Sequence, residues 1–211
     1  MDTAVALVES YLRINGYFTV TEYPVLEVSH RDDAHMISDL DILAFRFPGA
    51  GHDLRVRRHG ALRGDLHSRL DPALGAPSDH ADMIVGEVKR GQARFNPATR
   101  SAEVLAAGLL RFGCCPIDDA LPLARRVLAH GVAESVHGHR VRMVAFGQPG
   151  EVPVQGWHTV ALADVVQFLQ RHLQEHWDVL RHVHFSSEVL DLLALLERAK
   201  AVSPTAEKPA Q

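Results

Sequence analysis

The order in which strand-like and helix-like segments follow one another restricts this chain more than any other feature. Val5, Val8 and Leu12 recur at helical spacing, with Ala4, Leu7 and Tyr11 widening the stripe, so the chain opens on a helix that faces a core. Asn15-Gly16 ends it, because both residues tolerate the left-handed turn. Runs of aromatic and β-branched residues follow at 17–28, interrupted by Pro24, then at 37–47 and 82–89. An Ala/Leu-rich helix is expected over 97–113, with Pro97 near its start and Gly113 at its end. A second helix is expected over 118–131, with Pro122 disturbing its first turn. Strands over 139–147 and 156–162 and helices over 161–178 and 187–200 complete the chain. The expected order, α-β-β-β-α-α-β-β-α-α, describes one α/β domain over residues 1–165, a C-terminal helical extension over 166–201 and a disordered tail over 202–211. Between the second and third strands lies an irregular insert, 48–81, rich in Gly, Pro, Asp, His and Arg.

The net charge of −4 excludes a uniformly basic nucleic-acid coat, so any nucleic-acid surface has to be a local patch. No apolar run reaches the ~18 residues a membrane helix needs. The opening "MDTAVALVES" has no basic segment of a secretory signal. The two cysteines, Cys114 and Cys115, are adjacent and cannot staple distant segments. Together these features predict a protein of the reducing cytoplasm.

Basic charge in this chain is written almost entirely as arginine. There are nineteen arginines and three lysines, and Lys89 is the only lysine in the first 199 residues. It stands two places after Glu87 in "MIVGEVKRGQ". On a strand, residues i and i+2 face one side, so Glu87 and Lys89 are expected to point together, as are Asp39 and Asp41 on the preceding strand. Glu9 borders the apolar stripe of the first helix and can be delivered to the same end of the sheet. Clustered carboxylates repel unless a cation sits among them. An oxygen-only ligand set suits Mg²⁺ or Mn²⁺ rather than zinc. A lysine has a place there, because its compact ammonium can give up a proton and a guanidinium cannot.

A helix with Glu9, a strand with Asp41 in "SDLDILAF", a strand with Glu87-Val88-Lys89 in "VGEVKRG", then helix and strand, resembles the PD-(D/E)XK phosphodiesterase superfamily. The resemblance implies a restriction-endonuclease-like αβββαβ core, with a mixed central sheet flanked by helices. It implies Mg²⁺ or Mn²⁺ held by Asp41, Glu87 and the Val88 backbone carbonyl. Lys89 would assist the attacking water and Glu9 would complete the acidic shell. The activity implied is metal-dependent hydrolysis of nucleic acid, with DNA expected before RNA. Asp39 competes with Asp41 for the ligand position. The chain lacks a proline before Asp41 and the glutamine-tyrosine signature of RecB-like members, and 45 residues separate Asp41 from Glu87.

Arg55, Arg57 and Arg58 in the insert, with Arg90 and Arg94 after the E-x-K, are candidates for phosphate contacts. The alternative function is a catalytically inactive module of the same fold that binds nucleic acid or a protein. "HLQEH", 172–176, matches a zinc-peptidase pattern, with His172 and His176 as the candidate ligands. In "VLDLLALLERAK" the leucines surround most of a helix, which predicts a homodimer through that segment.

Overall fold

Residues 82–88 are buried without a break. A strand with no solvent-facing side has to lie inside a sheet covered on both faces, and the structure is built around this one. In the computed structural model, residues 2–28, 34–56, 62–67, 70–150 and 157–202 are described. Helix α1 (Thr3–Ile14) precedes strands β1 (Phe18–Val28) and β2 (Ala34–Arg46). Among the described residues, strands β3 (His52–Val56) and β4 (Leu62–His67) pair only with each other. The central strand, β5 (Asp82–Gln92), is followed by helices α2 (Ala102–Phe112) and α3 (Ile117–His130). Strands β6 (Val132–Glu134), β7 (Arg140–Gln148) and β8 (His158–Ala161) and helices α4 (Leu162–Glu175), α5 (Trp177–Leu180) and α6 (Glu188–Val202) complete it.

The main sheet runs β1-β2-β5-β7-β6, with β8 also on β7. β1, β2 and β5 are successively antiparallel. β5 and β7 are parallel, which requires the crossover that α2 and α3 supply. β6 runs antiparallel to the start of β7 and β8 parallel to its end. This is a curled mixed sheet between two helical layers. On one face, Leu40, Leu43, Met83, Val85 and Met143 pack with Leu105, Leu109 and Leu123 of α2 and α3. On the other, Ile42, Ile84, Val144 and Phe146 pack with Val8 and Leu12 of α1, Leu169 of α4 and Leu193 of α6. The stripe expected on α1 is the one buried: Val5, Val8, Tyr11 and Leu12.

Several expectations need correcting. β1 continues through Pro24, because it is the edge strand and a missing N–H there costs no ladder bond. The expected helix over 97–113 begins only at Ala102, where the Ser101 side chain accepts from the Glu103 and Val104 amides. Residues Ala98–Arg100 form a separate 3-10 turn. A division at 165/166 would cut α4, which packs with α6 on α1 in the same core. The insert contains the β3–β4 hairpin and a tethered strap, residues 70–81. The tail residues 203–211 lie outside the described ones.

Buried arginines tether the strap. Arg142 is 3% exposed and Asp82 fully buried. The Arg142 guanidinium donates from Nε to both Asp82 oxygens, at 2.9 and 3.0 Å, and from Nη2 to Oδ2 at 2.8 Å. Its Nη1 donates to the Leu74 carbonyl at 2.7 Å, and the Tyr17 hydroxyl donates to Asp82. Burial, then the Asp82 charge, pushes the Tyr17 phenol well above its ordinary value. Arg46 is also buried and donates to the carbonyls of Asn15, Pro77 and Ala50 at 3.1, 3.0 and 2.6 Å. Gly16, at φ 86°, lets the Ala50–Gly51 backbone pass, since a Cβ there would stand 2.6 Å from the Gly51 nitrogen. Removing one partner of a buried ion pair leaves an uncompensated charge. Arg142→Ala should therefore cost about 3–5 kcal/mol in urea denaturation, whereas a paired replacement, Asp82→Leu with Arg142→Met, should cost less.

Candidate active site

The antiparallel ladder between β2 and β5 runs from Arg46 opposite Asp82 to Ile42 opposite Gly86, and stops there. The next positions are Asp41 and Glu87. Instead of a backbone carbonyl, the Asp41 carboxylate accepts the Val88 N–H, Oδ2 to N 2.7 Å. The alternation of β2 also breaks at Asp41. Leu40 and Leu43 both lie against α2, where a Cβ on Gly108 would meet them, while Ile42 lies in the opposite core. Across the sheet, Glu22 sits between the pairs Thr21–Ile42 and Tyr23–Leu40. At φ 51° it is the only non-glycine residue at positive φ among the described residues. A side chain held in the left-handed region costs of order 1–3 kcal/mol, so the β1–β2 pair stores strain beside Asp41.

Lys89 joins the two carboxylates. Its Nζ stands 2.5 Å from Glu87 Oε1 and 3.6 Å from Asp41 Oδ2. The second Glu87 oxygen accepts the Thr99 hydroxyl at 2.8 Å. Glu87 is 2% exposed and Thr99 fully buried. Burial raises the Glu87 carboxyl, and the Asp41 charge adds to it, against the lowering by the Lys89 and Thr99 hydrogen bonds. Burial pulls the Lys89 ammonium down, but the hydrogen bond and charge of Glu87, with the charge of Asp41, outweigh it and leave it raised. The pair is thus a charged lysine with a carboxylate that is costly to keep ionised.

Of the residues singled out from the sequence, Asp41, Glu87 and Lys89 come together. Asp39 is exposed on β2 opposite Pro24, because the break at Asp41 removes the expected i, i+2 relation. Glu9 accepts from Arg13 at 2.7 Å and from Thr19 at 3.1 Å. Thr19 pairs with Ala44, three residues along β2 from Asp41, which is about 10 Å at ~3.3 Å per residue. Glu9 is therefore not brought to the cluster. Arg90 pairs with Asp2, the α1 cap, at 2.8 Å on the surface, and Arg94 is exposed beyond β5. Arg55 falls on β3, while Arg57 and Arg58 lie outside the described residues. Sequence reasoning missed Thr99 and Glu22. Ser101, two residues before Glu103, is a helix-cap signal that could have moved the helix start to 102 and left Thr99 free to face β5. No residue type announces the Glu22 conformation.

Two carboxylates already converge on one cation, the Lys89 ammonium, and oxygen donors of this kind suit Mg²⁺, which is commonly held by one or two carboxylates with water completing the shell. The donor set fits such an ion at Asp41 and Glu87. Among the described residues, no three His, Cys, Asp or Glu side chains are arranged to hold a metal. That applies equally to "HLQEH": His172 is buried on α4, stacked on Phe168, with the His176 ring 4.8 Å away. Cys114 and Cys115 are buried, and burial and the neighbouring thiol push Cys114 up to about 12, so Cys114 is not a reactive thiolate. No helix among the described residues is long and apolar enough to cross a membrane. No family model matches the chain, and no curated protein or solved structure is significantly similar to it.

The charge balance predicts a pH-dependent phenotype for Lys89→Met. Without the ammonium, Asp41 and Glu87 face each other and the buried Glu87 carboxyl rises further. A carboxyl with a raised folded-state value binds its proton more tightly when folded. Stability is then lost as pH rises from the ordinary carboxylate range, about 4, through the raised value. Lys89→Met should be about 2 kcal/mol less stable than the wild type at neutral pH. The deficit should shrink toward about pH 4, as urea midpoints at the two pH values would show.

Proposed function

We propose that this chain is a divalent-metal-dependent nuclease of the PD-(D/E)XK, restriction-endonuclease-like type, acting on nucleic acid, with DNA the expected substrate. The observation that carries the reading is the Lys89 ammonium at 2.5 Å from Glu87 and 3.6 Å from Asp41, at the point where β2 and β5 part. The succession α1, β1, β2, β5, α2, β7 supports it, with the hairpin and α3 as additions to that core.

Asp41 and Glu87, with the Val88 carbonyl, would hold Mg²⁺ or Mn²⁺. When bound, the ion supplies positive charge for a phosphate oxygen and lowers the pKa of a water. Everything else is done by the chain. Thr99 fixes one Glu87 oxygen, so the other faces the opening. Lys89 would share its carboxylate partners with such an ion. Burial already opposes its charge, and Nζ would orient a water and exchange a proton with it. Arg90, 71% exposed near the end of the same strand, and Arg94 just beyond it stand where backbone phosphates would meet positive charge.

One observation favours the alternative, a module that binds nucleic acid or a protein without cutting it. The two carboxylates are already neutralised by Lys89, and Glu9 is engaged with Arg13 and Thr19. The readings separate on plasmid, linear and single-stranded DNA incubated with Mn²⁺ or with EDTA. The nuclease reading expects cleavage with Mn²⁺ and none with EDTA; intact DNA under both conditions would sink it. Asp41→Ala and Glu87→Ala should each lose at least about 100-fold in rate while remaining folded. Lys89→Arg should not restore what Lys89→Ala loses, because a guanidinium keeps its proton. Full activity in the arginine variant would mean that charge alone matters.

Thr99 gives a test that does not depend on cutting. Thr99→Val keeps the shape and removes the donor to Glu87. Metal affinity, read by Mn²⁺ titration, should fall about tenfold, and Thr99→Ser should recover it. Unchanged affinity in the valine variant would remove Thr99 from the site.

A further inference from the structure

Helix α6 turns only one side to the domain. Leu193, Ala194 and Glu197 are buried against α1 and α4, and Ser187, just before it, meets Ser10 of α1 at 2.7 Å. Leu192, Leu195 and Leu196 occupy the other side at i, i+3 and i+4, and they are 57%, 58% and 47% exposed. Three neighbouring leucines left half in water form a stripe that a partner helix would cover. The charges beside it decide which partner. Glu188 and Asp191 stand at the N-terminal end of the helix, Arg198 and Lys200 at the C-terminal end. Asp191 and Arg198 are seven residues apart, two turns, and so lie on one flank of the stripe. Among the described residues Asp191 has no lysine or arginine partner, its nearest ring being His184 at 3.8 Å, and Arg198 donates to the Arg181 carbonyl without a carboxylate partner.

We infer that α6 pairs with α6 of a second copy of this chain, antiparallel about a two-fold axis, through Leu192, Leu195 and Leu196. A parallel pair would bring like charges together at both ends. An antiparallel pair sets Asp191 against Arg198 of the partner subunit, twice, and opposes the helix dipoles. The occupant is therefore a second α6 rather than an unrelated apolar helix, because the charge order along α6 complements itself only when reversed. Three leucines and one repeated charge pair make a short contact, so the dimer is expected to dissociate on dilution in the micromolar range. Nothing in this inference depends on the chemistry of the Asp41–Glu87 site.

Light scattering across a dilution series of the full chain tests it. The expected mass at high concentration is twice 23.3 kDa, falling to the monomer on dilution. Leu195→Glu should be monomeric with an unchanged circular dichroism spectrum. Asp191→Arg and Arg198→Asp should each weaken the dimer about tenfold, since each makes two like-charge contacts, and the double variant should restore it. A wild-type monomer at about 100 µM, concentrated well above the expected range, overturns the inference. So does a Leu195→Glu dimer, and so does a double variant no tighter than the singles.

Discussion

Asp82 and Arg142 carry the structure. β5, like β7 beside it, is buried on both faces along most of its length, and it starts on a carboxylate with no exposure at all. A carboxylate there is tolerable only because a guanidinium meets both of its oxygens and a phenol adds a third donor. That guanidinium also reaches the Leu74 carbonyl. One ion pair therefore joins β5 to β7 and both to the strap that returns from the β3–β4 hairpin. Arg46, one strand over, does the same for the Asn15, Ala50 and Pro77 carbonyls. The insert can be long because its return path is tied to the sheet by fixed, multiply bonded cations.

The other end of β5 inverts these features. Glu87 is nearly as buried as Asp82, but its cation is a lysine with one short contact and one long one. The sheet is also open there. The β2–β5 ladder ends, Asp41 caps the Val88 amide with its side chain, and Glu22 across the sheet sits in a strained conformation. A continuous ladder would turn Asp41 to one face or the other. The break in alternation between Leu40 and Ile42 instead aims it at the gap between the strands, where it meets Lys89. The distortion that costs local stability is what places two carboxylates around one ammonium.

What could be read from the sequence follows the range over which each signal acts. The Glu87–Lys89 contact follows from the two-residue period of a strand, and the α1 core stripe from the helical period; both are local. The apolar runs at 37–47 and 82–89 located β2 and β5 for the same reason. Glu9 was expected in the site because it borders that stripe, but the stripe says nothing about how far along β1 and β2 the helix is displaced. That displacement is set by the Asn15–Gly16 turn and by Thr19, which binds Glu9 instead. The buried roles of Arg46 and Arg142 were hidden because arginine in an alternating strand reads as a solvent-facing position. Only the opposing carbonyls and Asp82, which arrive from distant segments, reverse that reading. The β3–β4 hairpin was missed because its segments are short and carry charged residues at both parities.

The choice of lysine at one position in an arginine-rich chain can be settled by comparing the two ends of β5. Where a cation has to stay, the chain uses a guanidinium, whose planar donors are satisfied by a carboxylate and a carbonyl together, as at Arg142. Burial lowers the value of either kind of cation, yet a guanidinium starts so high that it remains charged. An ammonium does not have that margin. At Glu87 its charge is maintained by two neighbouring carboxylates against the pull of burial, so its state depends on whether those carboxylates are free. An arginine there would hold Glu87 as firmly as Arg142 holds Asp82, and β5 would have two structural ends. With lysine, one end of the strand holds a permanent cation and the other a cation whose charge rests on its carboxylate neighbours.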